Sequence, residues 1–276
     1  MPELPEVETL ARKLRPQLLG RIITEADLLW RRTLAVPSLR KFRELIRGQE
    51  IKDVTRRAKY FILRLSDYSL LVHLRMSGDL LIKESKIKPE KHDRLILTLA
   101  ASRSDDVDSE SSALVFNDTR KFGRVWFTAH PEQILAQLGP EPLSRTFTAQ
   151  WFYTALHSKH RQLKPLLLDQ TFLAGLGNIY TDEALHLAKL HPLAASDSVT
   201  PKQAEALHAA IREVLREGIR LNGASIDWVY RGGDFQNYFR VYDRKGKPCP
   251  TCGTEIQRIL VGQRSTYFCP KCQELR

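Results

Sequence analysis

The first half of the chain combines one stretch of helical spacing with several short apolar runs. From Pro5 to Leu18, apolar residues recur every three or four positions between charged ones: Val7, Leu10, Ala11, Leu14 and Leu18. This spacing predicts an amphipathic helix that starts near Pro5. Pro16 is predicted to kink or end the helix, because proline offers no N–H and its ring clashes with the preceding turn.

The hydrophobic period then changes from that of a helix to that of strands. The runs are short, rich in branched or aromatic residues and separated by Gly, Asp, Ser or Pro: "KYFILRL", "SLLVHLRM", "RLILTLA", "ALVFND" and "RVWFT". Such runs are typical of an antiparallel sandwich or barrel. The polar stretch "SRSDDVDSESS" at 102–112 reads as a loop between two strands, and it carries no predicted function.

Turn residues in "LGPEPL", at 138–143, mark a boundary, and helical spacing follows. The helical segments are "TAQWFYTALHS", "LKPLLLDQ", "IYTDEALHLAKL" and "TPKQAEALHAAIREVLREGIRL". The pattern therefore predicts an α+β protein with three parts: a β-rich domain at 1–139, a helical domain at 140–231 and a cysteine-bearing hairpin at 232–276.

All four cysteines lie near the C-terminus in two C-x2-C pairs that are sixteen residues apart: Cys249, Cys252, Cys269 and Cys272. This spacing predicts one tetrahedral zinc site. Four thiolate ligands leave no open position on the ion, so the zinc is expected to be structural. Two disulfides are the alternative, which a reducing cytoplasm disfavours.

The charge indicates a polyanionic partner. The chain has 43 Lys and Arg against 32 Asp and Glu, a formal net charge of +11. The last part, 231–276, has nine Lys and Arg against four Asp and Glu. Nucleic acid is the first candidate. An anionic membrane is the alternative, but no apolar run approaches a spanning length and no basic amphipathic helix dominates.

The N-terminal segment "MPELPEVET" raises a chemical possibility. Removal of Met1 would leave Pro2 with a free secondary amine, which is a potential nucleophile beside the proton-transferring groups Glu3 and Glu6. The alternative is that these acids only favour a helix N-terminus. The segment does not resemble a secretory signal, so a cytoplasmic location is expected.

Three further motifs combine features of nucleic-acid binding. "NDTRKFG" places Arg120 beside Phe122 in a turn, a pair suited to stacking on bases, and "HLRMSG" presents His73 and Met76 similarly. "FLAGLGNIY" is a glycine-rich turn before a helix, where backbone N–H groups and Asn178 could hold a phosphate. Packed hairpins and a helix–helix turn are the alternatives.

Taken together and in this order, "PELPEVET", "RRAKY", "HLRMSG", "DTRKFG", "GLGNIY" and the cysteine pattern resemble the formamidopyrimidine-DNA glycosylase family over the whole chain. The resemblance implies a β-sandwich with an N-terminal helix, then a helix-two-turn-helix domain and a zinc finger. It implies a bacterial, nucleoid-associated enzyme of base excision repair, which removes 8-oxoguanine and formamidopyrimidines and then cuts the strand. Its partner would be damaged double-stranded DNA, and a monomer fits an enzyme that reads single lesions.

The resemblance also implies residue roles. The Pro2 nitrogen would attack C1′ of an extruded nucleotide and form an iminium, so that β- and δ-elimination cut the backbone. Glu3 would protonate the sugar ring oxygen, Glu6 would help to hold the site, and Lys59 would contact the phosphate beside the lesion. Met76, Arg120 and Phe122 would fill the void in the duplex. The other DNA contacts would be His73, Asn178, Tyr242 and Arg264.

Two departures and two rival functions remain at this point. Arg75 stands where the family usually has Gly, and the segment from Gly223 to Phe239, which would cover the extruded base, differs in detail. The lesion preference that the resemblance implies depends on the residues of this segment. The rivals are a glycosylase for oxidised pyrimidines that resembles endonuclease VIII, and a zinc-containing DNA-binding protein without catalysis. "PELPEVET" favours the purine enzyme, and Pro2 with Glu3 disfavours a pure binder.

Overall fold

The structure is a computed structural model that describes residues 1–84, 88–100, 112–225 and 232–275. The polar loop predicted at 102–112, except for Ser112, and the central part of the segment from Gly223 to Phe239 lie outside the described residues. The chain divides into two compact units. The first contains residues 1–2 and 6–136, and the second contains residues 3–5 and 137–225 and the chain from 232 onward.

The first unit is mostly β-structure. Its helices are α1 (Leu4–Leu18), α2 (Leu39–Ile46) and α3 (Pro131–Leu135). Its strands are β1 (Ile22–Leu28), β2 (Leu34–Val36), β3 (Ile51–Arg57), β4 (Tyr60–Leu65), β5 (Ser69–His73), β6 (Gly78–Glu84), β7 (Asp93–Ala100), β8 (Ser112–Asp118) and β9 (Arg124–Thr128).

These strands form two sheets that share one hydrophobic core. One sheet has the order β1-β7-β8-β6 and is antiparallel, and the other has the order β2-β9-β5-β4-β3 with only the β2–β9 pair parallel. Phe61 on β4 and Leu97 on β7 belong to the same buried cluster. Alternating apolar residues from both sheets fill this cluster, as in a sandwich. The predicted sandwich with an N-terminal helix is confirmed.

Helix α1 adds its apolar face to the same core. Val7, Leu10, Leu14 and Leu18 are all buried in the cluster, and complete burial contributes about 1.5–3 kcal/mol for each leucine. The helix does not end at Pro16 but continues to Leu18. Leu18 is fully buried, so its packing supports the last turn although Pro16 lacks an N–H.

The second unit is helical and ends in a hairpin. Its helices are α4 (Ala149–His157), α5 (Leu163–Leu168), α6 (Asn178–Leu187) and α7 (Pro201–Arg220), and its strands are β10 (Gln257–Val261) and β11 (Arg264–Phe268). Helix α7 starts with a capping box, in which Thr200 and Gln203 each bond the other's backbone N–H. Such a cap contributes about 1 kcal/mol. The predicted helical region and cysteine hairpin are both present.

Among the described helices, none is both long and apolar enough to cross a lipid bilayer.

Candidate functional site

In the second unit, Glu3 lies at the N-terminus of α6. Its Oε2 accepts a hydrogen bond from Gly177 N at 2.6 Å, and its Oε1 accepts one from Ile179 N at 3.0 Å. Glu3 is only 2% exposed. Two of the orphan N–H groups of α6 are thus satisfied by a carboxylate that also favours the positive end of the helix dipole. The prediction that backbone N–H groups of this turn hold a phosphate therefore fails for these two amides, which Glu3 occupies.

Glycines allow this close approach. A Cβ on Gly177 would lie 2.3 Å from Glu3 Cδ, and a Cβ on Gly175 would lie 2.6 Å from Leu4 Cδ1. Gly175 also has a φ of +108°. The Leu4 N–H donates to the Gly175 carbonyl at 3.1 Å. The two glycines of the "GLG" motif therefore expose their backbone, so that Glu3 and Leu4 can pack directly against it.

A buried ion pair follows the first turn of α6. Lys164 Nζ lies 2.7 Å from Asp182 Oδ1, and neither side chain is exposed. Burial raises the pKa of Asp182 and lowers the pKa of Lys164, while the attraction between the two charges opposes both shifts. Lys164 Nζ also donates to the Ser265 carbonyl at 3.0 Å, and Asn178 Nδ2 donates to the same oxygen at 2.9 Å. Ser265 follows Arg264, which is exposed, so this contact fixes the backbone of the predicted phosphate ligand.

A second buried carboxylate on α6 holds Tyr242. Glu183 accepts hydrogen bonds from the backbone N–H groups of Arg240, Val241 and Tyr242, each at 2.9 Å. The Tyr242 ring packs edge-on against Phe239 and Tyr267. Burial raises the pKa of Tyr242 to about 12, so it stays a neutral phenol that can donate a hydrogen bond. Asn178, Tyr242 and Arg264 are thus positioned by the same helix.

In the first unit, Lys59 lies in the turn before β4, and His73 lies at the end of the adjacent strand β5. Lys59 is 4% exposed, and the next residue, Tyr60, pairs with His73 across β4 and β5. The Tyr60 and His73 rings meet edge-on at 4.9 Å. Burial, with the charges of Arg75 and Lys59 behind it, lowers the pKa of His73 to about 3. His73 is therefore neutral at physiological pH.

The two turns that carry Met76, Arg120 and Phe122 are joined by hydrogen bonds. Asp118 is 1% exposed and accepts from the Ser77 hydroxyl, from Arg120 N at 3.1 Å and from Gly123 N at 2.7 Å. Arg120 N is also 3.1 Å from Ser77 Oγ. The structure thus brings the turn after β5 beside the turn after β8.

The side chains on these turns point into solvent. Met76 is 38% exposed and Phe122 is 50% exposed, while the Arg120 guanidinium lies 5.0 Å from the Phe122 ring centroid. Apolar side chains held out on ordered turns are the kind of group that can enter a base stack.

Arg75 has a φ of +55°, in the left-handed region that favours glycine. This backbone explains why glycine is expected at that position. The Arg75 N–H donates to His73 Nδ1 at 3.0 Å, and the side chain is exposed. The substitution for glycine therefore adds a positive charge beside His73.

Pro2 and Glu6 are both buried. Pro2 directly precedes Glu3, and Glu6 stands in the first turn of α1 with 2% exposure. The Pro2 nitrogen is in an amide with Met1, so it becomes a free amine only when Met1 is removed.

The four cysteines form one cluster in the second unit. Their sulfurs all lie within 4.8 Å of one another, with 3.9 Å between Cys249 and Cys272 and 3.5 Å between Cys252 and Cys269. A tetrahedral ion with Zn–S bonds of about 2.3 Å requires sulfurs about 3.8 Å apart, whereas a disulfide requires about 2.05 Å. The cysteines are free thiols, so the geometry fits zinc and the predicted structural zinc site is confirmed.

Sequence reasoning missed the residues that position the others. Lys164, Asp182 and Glu183 lie in helical segments where polar residues normally face solvent, and no local pattern marks them as buried. Asp118 had a detectable signal, because Asp after a strand commonly bonds the N–H groups of the turn that follows. The supporting roles of Lys164, Asp182 and Glu183 therefore emerge only from the tertiary structure.

Three consecutive protein-family models match the chain. They are the formamidopyrimidine-DNA glycosylase N-terminal domain over 1–125, the H2TH domain of the same enzyme over 138–229, and the zinc finger found in FPG and IleRS over 246–275. Together they define a glycosylase of the class with an N-terminal β-domain, a helix-two-turn-helix domain and a zinc finger.

Similar proteins extend over the full length. The formamidopyrimidine-DNA glycosylase of Chloroflexus aurantiacus is 47% identical, over 99% of this chain and 98% of that protein. A crystal structure of Lactococcus lactis formamidopyrimidine-DNA glycosylase, non-covalently bound to DNA with an AP site, is 34% identical, with a TM-score of 0.89 over 99% of this chain and 100% of that one. A structure of MutM with carbocyclic 8-oxo-G DNA is 35% identical, with a TM-score of 0.88 and the same coverage. The chain belongs to the formamidopyrimidine-DNA glycosylase family.

Proposed function

We propose that this chain is a bifunctional DNA glycosylase and AP lyase of base excision repair, which removes oxidised purines from duplex DNA with the Pro2 nitrogen as nucleophile. The observation that carries the proposal concerns Glu3, the residue that follows Pro2. Its buried carboxylate accepts hydrogen bonds from two backbone N–H groups at the start of α6. Nucleophilic catalysis by an amine requires a proton-transferring group close to it, and Glu3 follows Pro2 directly in the chain. The similar structures with AP-site DNA and with 8-oxo-G DNA support the substrate class.

The first chemical step exchanges one bond of C1′ for another. The neutral Pro2 amine forms an N–C1′ bond while the bond from C1′ to the damaged base breaks; the nitrogen then loses its N–H proton, and the departing base takes up a proton. Attack requires Pro2 without its ammonium proton, and Glu3 is the adjacent group that can take that proton and pass it to the sugar ring oxygen. Opening of the ring then leaves a C1′ iminium on Pro2.

The lyase steps use the charge of this iminium. The cation acidifies the C2′ hydrogen, so a base removes that proton and the C3′–O bond breaks in β-elimination. A second elimination breaks the C5′–O bond, and water releases the sugar fragment from Pro2. Glu6, buried in the first turn of α1, helps to hold the N-terminal segment in this scheme.

The remaining residues bind the DNA. Met76, Arg120 and Phe122 fill the gap left by the extruded nucleotide, at a cost of unstacking of a few kcal/mol that the new contacts offset. Lys59, His73, Asn178, Tyr242 and Arg264 contact phosphates around the lesion. The zinc ion, held by the four cysteines, supplies no chemistry to the reaction because its thiolates leave no open position, and it serves to fold the hairpin that carries Arg264.

The enzyme acts as a monomer in the bacterial cytoplasm, at the nucleoid, in this proposal. The full-length relatives from Chloroflexus aurantiacus and Pelotomaculum thermopropionicum support a bacterial enzyme. Size-exclusion chromatography with light scattering, with and without a lesion duplex, tests the monomer. A mass near 31.7 kDa for the free protein is expected.

Borohydride trapping tests the catalytic proposal. Untagged protein, shown by mass spectrometry to lack Met1, is incubated with a duplex that contains one 8-oxoguanine opposite C, and the reduced adduct is mapped. An adduct on Pro2 is expected, and protein that retains Met1, in which the Pro2 nitrogen is an amide, is the matched inactive control. Trapping only on an oxidised-pyrimidine duplex would overturn the purine assignment, and binding without any trapping would overturn the enzymatic one.

A further inference from the structure

One buried side chain contacts the zinc cluster without belonging to it. His186, in the last turn of α6, places Nε2 at 3.3 Å from Cys249 Sγ. His186 is 4% exposed and Cys249 is 3% exposed. Histidine is itself a common zinc ligand, yet His186 is not one of the four residues whose ligand atoms all lie within 4.8 Å of one another. Its contact is with the sulfur.

The first sulfurs of the two C-x2-C pairs are otherwise placed alike. Each accepts from a backbone N–H of its own knuckle: Cys249 from Thr251 N at 3.4 Å, and Cys269 from Cys272 N at 3.4 Å. In the part of the chain that the structure describes, the His186 ring adds a side-chain contact to Cys249 and to none of the other three cysteines. The contact therefore distinguishes Cys249 from its counterpart Cys269.

A zinc ion bound by the four thiolates would favour one tautomer of His186. Four thiolates carry more negative charge than one dication cancels, so each sulfur gains from a nearby N–H donor. A ring nitrogen without a proton would direct its lone pair at an anionic sulfur, which is repulsive. The Nε2–H tautomer removes this repulsion. It leaves the buried Nδ1 as an acceptor, for which the described residues offer no hydrogen-bond partner.

We propose that His186 is a positioning residue of the zinc site, whose Nε2–H donates a hydrogen bond to the Cys249 thiolate. The bond fixes the direction of one ligand and stabilises its charge. It also ties the zinc knuckle to α6, the helix whose other end holds Glu3 and Asn178. Partners of this kind typically change metal affinity by about 10–100-fold when removed.

Two substitutions separate hydrogen bonding from packing. His186→Phe keeps an aromatic ring but removes the donor, and His186→Gln keeps an N–H near the position of Nε2. Release of zinc to excess EDTA, followed with a chromogenic chelator, should be about tenfold or more faster in His186→Phe than in the wild type. His186→Gln should recover most of the difference. Equal rates in all three proteins, or a His186→Gln protein as fast as His186→Phe, would overturn the proposal.

Replacing zinc with cobalt gives an absorption band whose position reports the hydrogen bond to the thiolate and not the packing of the ring. A donor to a thiolate lowers the energy of its lone pairs, so loss of the donor should shift the sulfur-to-cobalt charge-transfer band to longer wavelength. The shift is expected in His186→Phe and absent in His186→Gln. An unchanged band position in His186→Phe would contradict the proposal, and a change in the coordination geometry shown by the cobalt d–d bands would instead make His186 a ligand.

A second variant without a donor at Nε2 is available if His186→Phe does not fold. If His186→Phe fails to fold, His186→Asn, which moves the N–H toward the position of Nδ1, replaces it as the protein without a donor at Nε2. Zinc content and circular dichroism select the folded proteins. None of these measurements depends on glycosylase activity, so their result stands apart from the proposed function.

Discussion

At the scale of single residues, the most informative contact is between Gly177 and Glu3. Glu3 stands just before α1, where sequence reasoning gives acidic residues the ordinary role of complementing their own helix. In the structure, its carboxylate instead caps α6, and the donor Gly177 N is 174 residues away along the chain. The position of the proposed proton-transferring group therefore depends on the absence of a side chain at residue 177.

Gly177→Ala should test this dependence. The φ of Gly177 is −132°, which other residues adopt easily, so the effect of alanine comes from its Cβ at 2.3 Å from Glu3 Cδ. We expect a loss of about 1–3 kcal/mol in the free energy of unfolding, measured with urea, together with a large loss of the trapped adduct.

A double-mutant cycle supplies the control. In the Glu3→Ala background, the Cβ that Gly177→Ala introduces no longer meets a carboxylate, so this substitution should cost about 1 kcal/mol less than in the wild type. Additive effects of the two substitutions would mean that the close approach is not what makes residue 177 sensitive.

The low pKa of His73 predicts that the free energy of unfolding depends on pH. Its pKa is about 3 in the folded protein and about 6.5 in an unfolded chain, so between these values the unfolded state binds more protons. The neutral folded form therefore contributes its full stability above pH 6.5, and this is lost as the pH falls, at up to roughly 1.4 kcal/mol per pH unit.

NMR of the His73 ring provides the measurement. The ring signals should not titrate between pH 7.5 and 5 in the wild type. In Arg75→Gly the pKa of His73 should rise, because one nearby cation is removed, yet it should stay below 6.5 because burial is the main cause. A wild-type midpoint near 6.5 would show that the ring is solvated.

At the scale of elements, the Lys164–Asp182 pair connects α5, α6 and β11. Lys164 also bonds the Ser265 carbonyl, and Asp182 Oδ2 accepts from Tyr267 N at 3.0 Å. Burial makes each charge costly without the other. The pair thus anchors strand β11 to helices α5 and α6.

Lys164→Met should therefore destabilise the protein by about 3–5 kcal/mol in urea unfolding, because it leaves a buried carboxylate unpaired. Lys164→Met/Asp182→Asn should recover much of this loss, since it removes both charges while Asn keeps an acceptor for Tyr267 N. If the double variant were as unstable as the sum of the single ones, the ion pair would not be the source of the effect.

Element prediction succeeded where apolar spacing was strong. The runs around β4, β5, β7, β8 and β9 and the segments of α1 and α4–α7 were all predicted from periodicity. Strand β3, "IKDVTRR", was missed because charged residues dominate it. Two of those charges have partners on α1: Asp53 pairs with Arg15, and Arg56 pairs with Glu8. Only tertiary contacts make such a sequence favourable as a strand.

At the scale of the whole molecule, the charge of +11 and the proposed phosphate contacts predict a strong salt dependence of DNA binding. Each neutralised phosphate should add about −0.9 to the slope of log K against log salt concentration. His73, being neutral, should add nothing to this slope even if it bonds a phosphate.

Arg264→Gln and Asn178→Ala form a matched pair for this measurement. Both should weaken binding to an abasic-analogue duplex. The slope should become shallower by about 0.9 in Arg264→Gln and stay unchanged in Asn178→Ala, because an amide releases no counterion. Identical slopes in the wild type and Arg264→Gln would remove Arg264 from the set of charged phosphate contacts.

The sequence by itself determined the kinds of structure and chemistry in this protein. Hydrophobic spacing indicated the β-rich part and the helices, because packing requires a fixed period in each element. The cysteine spacing indicated one zinc ion, because a tetrahedral ion needs four ligands and each C-x2-C turn supplies two of them. The ordered motifs indicated the family and hence the candidate residues.

Only the tertiary structure decided how those residues are held. The decisive contacts join residues that are distant in the chain. The Glu3 carboxylate caps the N-terminus of α6, Lys164 pairs with Asp182, Asp118 bonds Ser77, and His186 contacts Cys249. Sequence patterns report the local period of burial, whereas a hydrogen bond across the fold depends on where the chain returns. For that reason, the supporting roles of Lys164, Asp182, Glu183 and His186 became visible only in the structure.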